Sequence, residues 1–168
     1  AIRFYDASMD RAVRERNALA MDMRAGLPGG QFELFYQGQN DTFTGEVVGF
    51  EALLSWNHPE RGLVMPSDFI PIAERSGLII DLGDWVLREA CREAASWKKP
   101  LGIAVNVAAQ QLADPNFPSR VQQVLEATRL DPARLELEIT ETGIIADHQQ
   151  ALQAIHHLKR LGVRIAMD

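Results

Sequence analysis

The feature that most restricts the fold is an alternation shared by segments 101–107 (LGIAVNV), 135–140 (LELEIT) and 163–168 (VRIAMD). Each reads as a strand, and successive side chains of a strand point to opposite faces. Ile103, Val105 and Val107 fall on one face of the first, Ala104 and Asn106 on the other. Leu135, Leu137 and Ile139 oppose Glu136, Glu138 and Thr140, and Val163, Ile165 and Met167 oppose Arg164, Ala166 and Asp168. Each strand therefore has an apolar face to pack under helices. Its second face is polar, with an oxygen-bearing residue near the C-terminal end. A sheet covered by helices on both sides would bury that second face, and buried carboxylates are costly unless paired or bound to metal. The interior of a (β/α) barrel, with a site at the C-terminal mouth of its strands, accommodates it.

The rest of the chain continues this α/β pattern. Helices expected over 81–98, 118–127 and 147–161 separate the strands, which implies parallel pairing through βαβ crossovers. In the first of them Leu82, Trp85, Val86, Ala90, Ala94 and Trp97 recur at helical spacing. Asp147 is the expected N-cap of the last, and Gly162 its stop. Residues 32–37 (FELFYQ) and 47–56 (VVGFEALLSW) are two further strands joined by a turn over 38–45, so they are expected to be antiparallel. A loop (57–62) and a short helix (66–75), with Ser67 and Asp68 near its start, follow them.

Ahead of all this, residues 7–27 read as a charged helix with a thin apolar stripe of Val13, Leu19, Met23 and Leu27. Pro28-Gly29-Gly30 ends it and reads as a hinge, since it lacks the Lys-Ser/Thr of a phosphate loop. The expected organisation is a linker helix over 1–30 and one α/β domain over 31–168. A complete (β/α)₈ barrel needs ~250 residues. The expectation is therefore an incomplete barrel, about five of its eight strands, cut before the C-terminal third of the domain.

In the second strand Glu51 shares its parity with Gly49 and Leu53, so Glu51, Asn106, Glu138 and Asp168 are expected to converge at one mouth. All four offer oxygen, which selects a hard cation such as Mg²⁺ or Mn²⁺ over Zn²⁺. Glu136 and Arg164 share the inward parity and are expected to form a buried ion pair. The net charge of −6 makes the chain a poor partner for polymeric nucleic acid, so an anionic substrate must be drawn by something else, and bound divalent cations would do so. No run approaches the ~20 apolar residues of a membrane span, and the start has no signal-peptide pattern. The single cysteine, Cys91, cannot form an internal disulfide, and a cytoplasmic location is expected. Cys91, Trp85 and Trp97 read as packing residues, and His58, His148, His156 and His157 as solvated.

The string VVGFEALLSW, followed by HPERGL and PSDFIPIAE, resembles the EAL domain family of cyclic di-GMP phosphodiesterases, named for the motif that stands here as Glu51-Ala52-Leu53. FELFYQ, WVLREAC, IAVNV, LELEITET and GVRIAMD match it from about residue 31 to 168. The preceding FYDASMDRAVRERNALAMDMRAGL is similar to the linker that follows a GGDEF (diguanylate cyclase-like) domain in tandem proteins. The resemblance implies a TIM-like barrel with an antiparallel first strand pair. It implies metal-dependent hydrolysis of cyclic di-GMP to linear pGpG, in bacterial second-messenger signalling, with Mg²⁺ or Mn²⁺ bound as two ions in the complete domain. It carries the metal-ligand positions onto Glu51, Asn106, Glu138 and Asp168. Glu51 and Glu141 become the catalytic positions, Glu141 as the residue that steadies a mobile loop, and Gln37, Leu53, Ser55 and Asp68 become substrate-side positions. Implied partners are cyclic di-GMP and an N-terminal GGDEF or sensory domain in the parent protein; a homodimer is a separate expectation, for which the sequence gives no interface.

The simpler readings stand beside these. Taken without the family, Glu51 is a solvated strand-end carboxylate; parity and resemblance together make it a ligand position. Glu141 has a second reading as a surface or helix-N-terminal charge, and Asp68 reads equally as the stabilising acid of its helix start. The chain also departs from the family. Ser55 stands where the family usually has Arg, so weaker phosphate binding is expected. This motivates a runner-up function, a catalytically impaired cyclic di-GMP receptor or a regulatory or dimerisation module. Gly38 replaces a common Pro, which is expected to loosen the turn after the first strand. The family's second Asp, its catalytic Lys and later Glu and Gln positions fall beyond residue 168, so these 168 residues alone are expected not to hydrolyse the substrate.

Overall fold

A computed structural model of the chain describes residues 7–140 and 148–167. The chain divides into two compact units, residues 1–33 with 55–78 and residues 34–54 with 79–168.

In the first unit α1 (Ala7–Gly26) packs on α2 (Pro66–Ser76). Leu19 and Met23 are buried, as the apolar stripe predicts, but Val13 is 48 % exposed. The N-terminal half of α1 sets its apolar residues singly among Arg11, Arg14, Glu15 and Arg16, which leaves no stripe to bury. The unit's core is aromatic. Phe32 stacks on Trp56 at 5.2 Å between ring centroids, and Phe69 of α2 meets both rings edge-on. The fully buried Trp56 donates its indole N–H to Gln31 Oε1 at 3.0 Å, which satisfies its one polar atom. Pro66 opens α2, where a missing N–H costs nothing, and Gly77 ends it at φ +77°.

His58, expected to be solvated, is buried. Its Nδ1 accepts the backbone N–H of Glu60 and of Arg61, both at 3.1 Å, so Nε2 carries the hydrogen and donates to Asp22 Oδ2 of α1 at 3.1 Å. The ring thus satisfies the turn between the last strand residues of this unit and β3 (Gly62–Val64), which pairs antiparallel with Trp56–His58.

The second unit holds α3 (Ile79–Ser96), β4 (Gly102–Val107), α4 (Ala109–Ala113), α5 (Phe117–Thr128), β5 (Leu135–Ile139), α6 (His148–Leu161) and β6 (Arg164–Met167). β1 (Phe32–Asn40) and β2 (Val47–His58) run through both units. The strand order is β1-β2-β4-β5-β6, with β3 beside β2. β2, β4, β5 and β6 are parallel, as the intervening helices require. β1 and β2 are antiparallel: Asp41 N–H donates to Glu46 O at one end and Asn57 N–H to Gln31 O at the other. The parity argument holds for the core, since Ile103, Val105, Val107, Leu135, Leu137 and Ile139 are all buried under α3, α5 and α6.

Some element limits differ from expectation. β1 continues through Gly38 to Asn40, so Gly38 is a strand residue rather than part of a loosened turn. β3 and α4 are further elements, too short to show periodicity in the sequence. Trp97 lies just past α3, where its ring meets Tyr36 and Phe50 edge-on. Met167 is 64 % exposed rather than packed. Asp147, the expected N-cap, lies outside the described residues. Gly162 follows α6 at φ +94°, as expected. Cys91 is fully buried on α3, and burial pushes its thiol up to about 12, so it is an inert packing residue.

Candidate active site

Strand register brings the polar residues together. Within the second unit Glu51 of β2 pairs with Ala104 of β4, so Asn106 stands one same-face step further along. Asn106 in turn pairs with Glu138 of β5. The Asn106 amide donates from Nδ2 to Glu51 Oε1 at 2.8 Å, a bond to an ionised acceptor and therefore one of the stronger kind. Glu51 and Glu138 are half-buried and Asn106 is exposed, so the carboxylates are ordered by their strands while open to a ligand.

A residue absent from the expected set joins them. Gln39 of β1 donates from Nε2 to Glu138 Oε1 at 3.5 Å. On a flat sheet β1 and β5 would be three strand spacings apart, roughly 14 Å, beyond the joint reach of the two side chains. The contact therefore requires the sheet of this unit to curl toward the face that bears Glu51, Asn106 and Glu138, the curvature of a barrel wall. The signal was present in the sequence: Gln39 shares its parity with Gln37, but β1 was expected to end at Gln37.

The hairpin that carries Gln39 is pinned by Asp41. Its Oδ1 accepts the N–H of Thr44 at 2.8 Å and of Phe43 at 2.9 Å, and these bonds hold its carboxyl below the ordinary value. One layer below the site, Glu136 and Arg164 pair as expected, with Arg164 Nη1 at 3.6 Å from Glu136 Oε2. The pair is not buried, however, because the Arg164 side chain is 54 % exposed. Parity assigns a face, whereas burial depends on what covers that face.

The other expected positions are placed as follows. Gln37 is exposed on β1, and Leu53 is 37 % exposed on β2, on the same face of that strand as Glu51. Ser55, in the first unit, is 7 % exposed. Asp68, also in the first unit, is exposed in the first turn of α2. Glu141 and Asp168 lie outside the described residues. Among the described residues no group of His, Cys, Asp or Glu side chains numbering three or more is gathered as a metal cluster. Here two carboxylates and one amide oxygen stand together, a hard, sulfur-free and imidazole-free set whose chemistry fits Mg²⁺ or Mn²⁺. No described helix is long and apolar enough to cross a membrane.

A curled parallel sheet with oxygen-bearing side chains along one face defines the class as a (β/α)-barrel type of α/β domain with an acidic face. The chain belongs to the EAL domain family, whose family model matches residues 20–168. It is 53 % identical over 166 residues to an uncharacterized signaling protein of Caulobacter vibrioides, covering 99 % of this chain and 20 % of that protein. It is 37 % identical over 169 residues to the bifunctional diguanylate cyclase/cyclic di-GMP phosphodiesterase MucR of Pseudomonas aeruginosa, covering 98 % of this chain and 25 % of MucR. Among solved structures, the PaMucR phosphodiesterase in its c-di-GMP complex superposes with a TM-score of 0.85 at 38 % identity, over 90 % of this chain and 63 % of that one. The chain thus spans a fifth to a quarter of these curated relatives.

Proposed function

We propose that this EAL domain, in its parent protein, hydrolyses one phosphodiester bond of cyclic di-GMP to give linear pGpG. The observation that carries the reading is the in-register row Glu51, Asn106 and Glu138, with Asn106 bonded to Glu51, in a chain of this family. MucR, whose name includes cyclic di-GMP phosphodiesterase, supports the same substrate.

Glu51, Asn106 and Glu138, together with Asp168 from the sequence, would hold the divalent cations. Divalent ions held there would supply Lewis-acid activation of a water and neutralisation of the phosphodiester charge. The chain's own residues do the rest. The two glutamates supply the negative charge that attracts cations to a chain whose substrate is an anion. Asn106 adds an oxygen without a further charge, and its amide keeps Glu51 in one orientation. The family resemblance alone assigns Gln37, Leu53, Ser55 and Asp68 to the substrate side and gives Glu141 a supporting role in catalysis.

The test is turnover by the purified full-length protein with Mg²⁺ or Mn²⁺ and cyclic di-GMP, with pGpG as the product followed. Tight binding without pGpG would replace this reading with the receptor role, which Ser55 favours because a short neutral hydroxyl stands where a phosphate-binding Arg is usual. Restoring that residue is informative in itself. Ser55 is 7 % exposed, so the new arginine must reach out of a covered position. In a Ser55→Arg variant that melts as the parent does, KM is expected to fall about tenfold, since a charge-assisted hydrogen bond is worth about 1.5–3 kcal/mol. An unchanged KM in a variant that melts normally would remove the affinity argument.

A further inference from the structure

We infer that Gln39 is a positioning residue for Glu138, holding that carboxylate in its metal-ready orientation. The inference rests on the metal reading proposed above and adds a residue to it.

Two carboxylates stand on this face, and each is met by one side-chain amide: Asn106 donates to Glu51 and Gln39 donates to Glu138. The pairing has a physical logic. Two ionised carboxylates in one site repel each other, and each must still keep oxygens free to ligate. A Lys or Arg donor would neutralise the carboxylate and compete with the cation. An amide donor orders the group and brings no net charge, so it does not compete with the cation for the site. Gln39 reaches Glu138 across β2 and β4, a contact that the curl of the sheet makes possible. The Asp41 turn immediately after it anchors the hairpin, so the amide is presented from ordered backbone. At 3.5 Å the bond is long, which suits orientation of the carboxylate rather than strong binding to it.

The test uses the full-length protein and Mn²⁺ alone, with affinity read by calorimetric titration, followed by steady-state kinetics at saturating Mn²⁺. Gln39→Leu is expected to weaken Mn²⁺ binding about tenfold, the lower end for an outer partner of a metal ligand. At saturating Mn²⁺, KM for cyclic di-GMP should stay within about twofold of the parent and kcat should recover, because the substrate is untouched. Gln39→Met carries the same expectation should the branched side chain fold poorly, and each variant's melting transition is recorded.

Glu138→Gln separates the two levels of the argument. If it loses Mn²⁺ binding while both Gln39 variants bind like the parent, the positioning role is overturned and the metal reading stands. A raised KM with unchanged Mn²⁺ affinity in the Gln39 variants also overturns it, making Gln39 a substrate contact. Should Glu138→Gln leave Mn²⁺ binding intact, the metal reading fails and the role of Gln39 falls with it.

Discussion

Glu51→Gln is expected to lower turnover of cyclic di-GMP by about three orders of magnitude while leaving the fold in place. The substitution is nearly isosteric. Its carbonyl oxygen can still accept the hydrogen bond that Asn106 Nδ2 now gives to Glu51 Oε1 at 2.8 Å. The strand pairing around it, Glu51 with Ala104, involves backbone alone and is unaffected. What is lost is one of the two negative charges that the described residues of the row, Glu51 and Glu138, supply. Polarisation by a divalent cation contributes several kcal/mol to such a reaction, and each 1.36 kcal/mol is tenfold in rate. Losing most of that contribution gives a drop of about 10³ in kcat. The check is kcat of the full-length variant at high Mg²⁺ or Mn²⁺, with its melting transition alongside. A solvated strand-end carboxylate would predict no such loss, so retention of activity within tenfold would return Glu51 to that simpler reading.

That Glu51, Asn106 and Glu138 share a face was legible in the sequence because alternation is a local property. Once the strands were recognised, parity alone put Asn106 and Glu138 on the polar side, and the buried Val105, Leu137 and Ile139 confirm the opposite one. Register was less accessible. That Asn106 lies directly beside Glu138 but diagonally from Glu51 depends on where neighbouring strands slide to rest, which local pattern does not encode.

Two misses have the same origin. Gln39 was hidden because Gly38 reads as a breaker, while in the structure it continues β1 and carries its neighbour to a partner 99 positions away. His58 reads as a loop histidine, yet it caps a turn two and three residues on and reaches Asp22 of α1, 36 positions upstream. Neither long-range partner leaves a periodic trace. The ion pair of Glu136 with Arg164 marks the boundary between the two kinds of information. Its existence followed from parity, whereas its exposure is set by surroundings that parity does not describe.

The register that alternation leaves open is fixed in part by glycine, and Gly49→Ala should expose this. Gly49 of β2 pairs with Gly102 of β4. A Cβ at Gly49 would sit 2.8 Å from the Gly102 carbonyl oxygen, 3.2 Å from its carbonyl carbon and 3.3 Å from its Cα. All three are backbone atoms of a hydrogen-bonded strand, so nothing can rotate away, and β2 must slide along or splay from β4. Overpacking of this kind costs about 1–3 kcal/mol and occasionally more, and without a flexible neighbour the upper end, about 3 kcal/mol, is expected. In a domain of this size that is a fall of roughly 6–12 °C in Tm.

Gly102→Ala is the matched comparison. Its Cβ meets Arg164 Nη2 at 2.8 Å, with the next atoms at 3.6 and 3.7 Å. The end of a half-exposed arginine can swing aside, so less than about 1 kcal/mol is expected. The measurement is the melting transition of this domain in the two variants. Equal losses would mean that the β2–β4 approach does not depend on Gly49. The displacement should also be visible at the site, because Glu51 lies two residues beyond Gly49 on the same face of β2. Moving that strand off β4 separates Glu51 from Asn106, so Gly49→Ala should weaken Mn²⁺ binding even at temperatures where the domain remains folded, whereas Gly102→Ala should not.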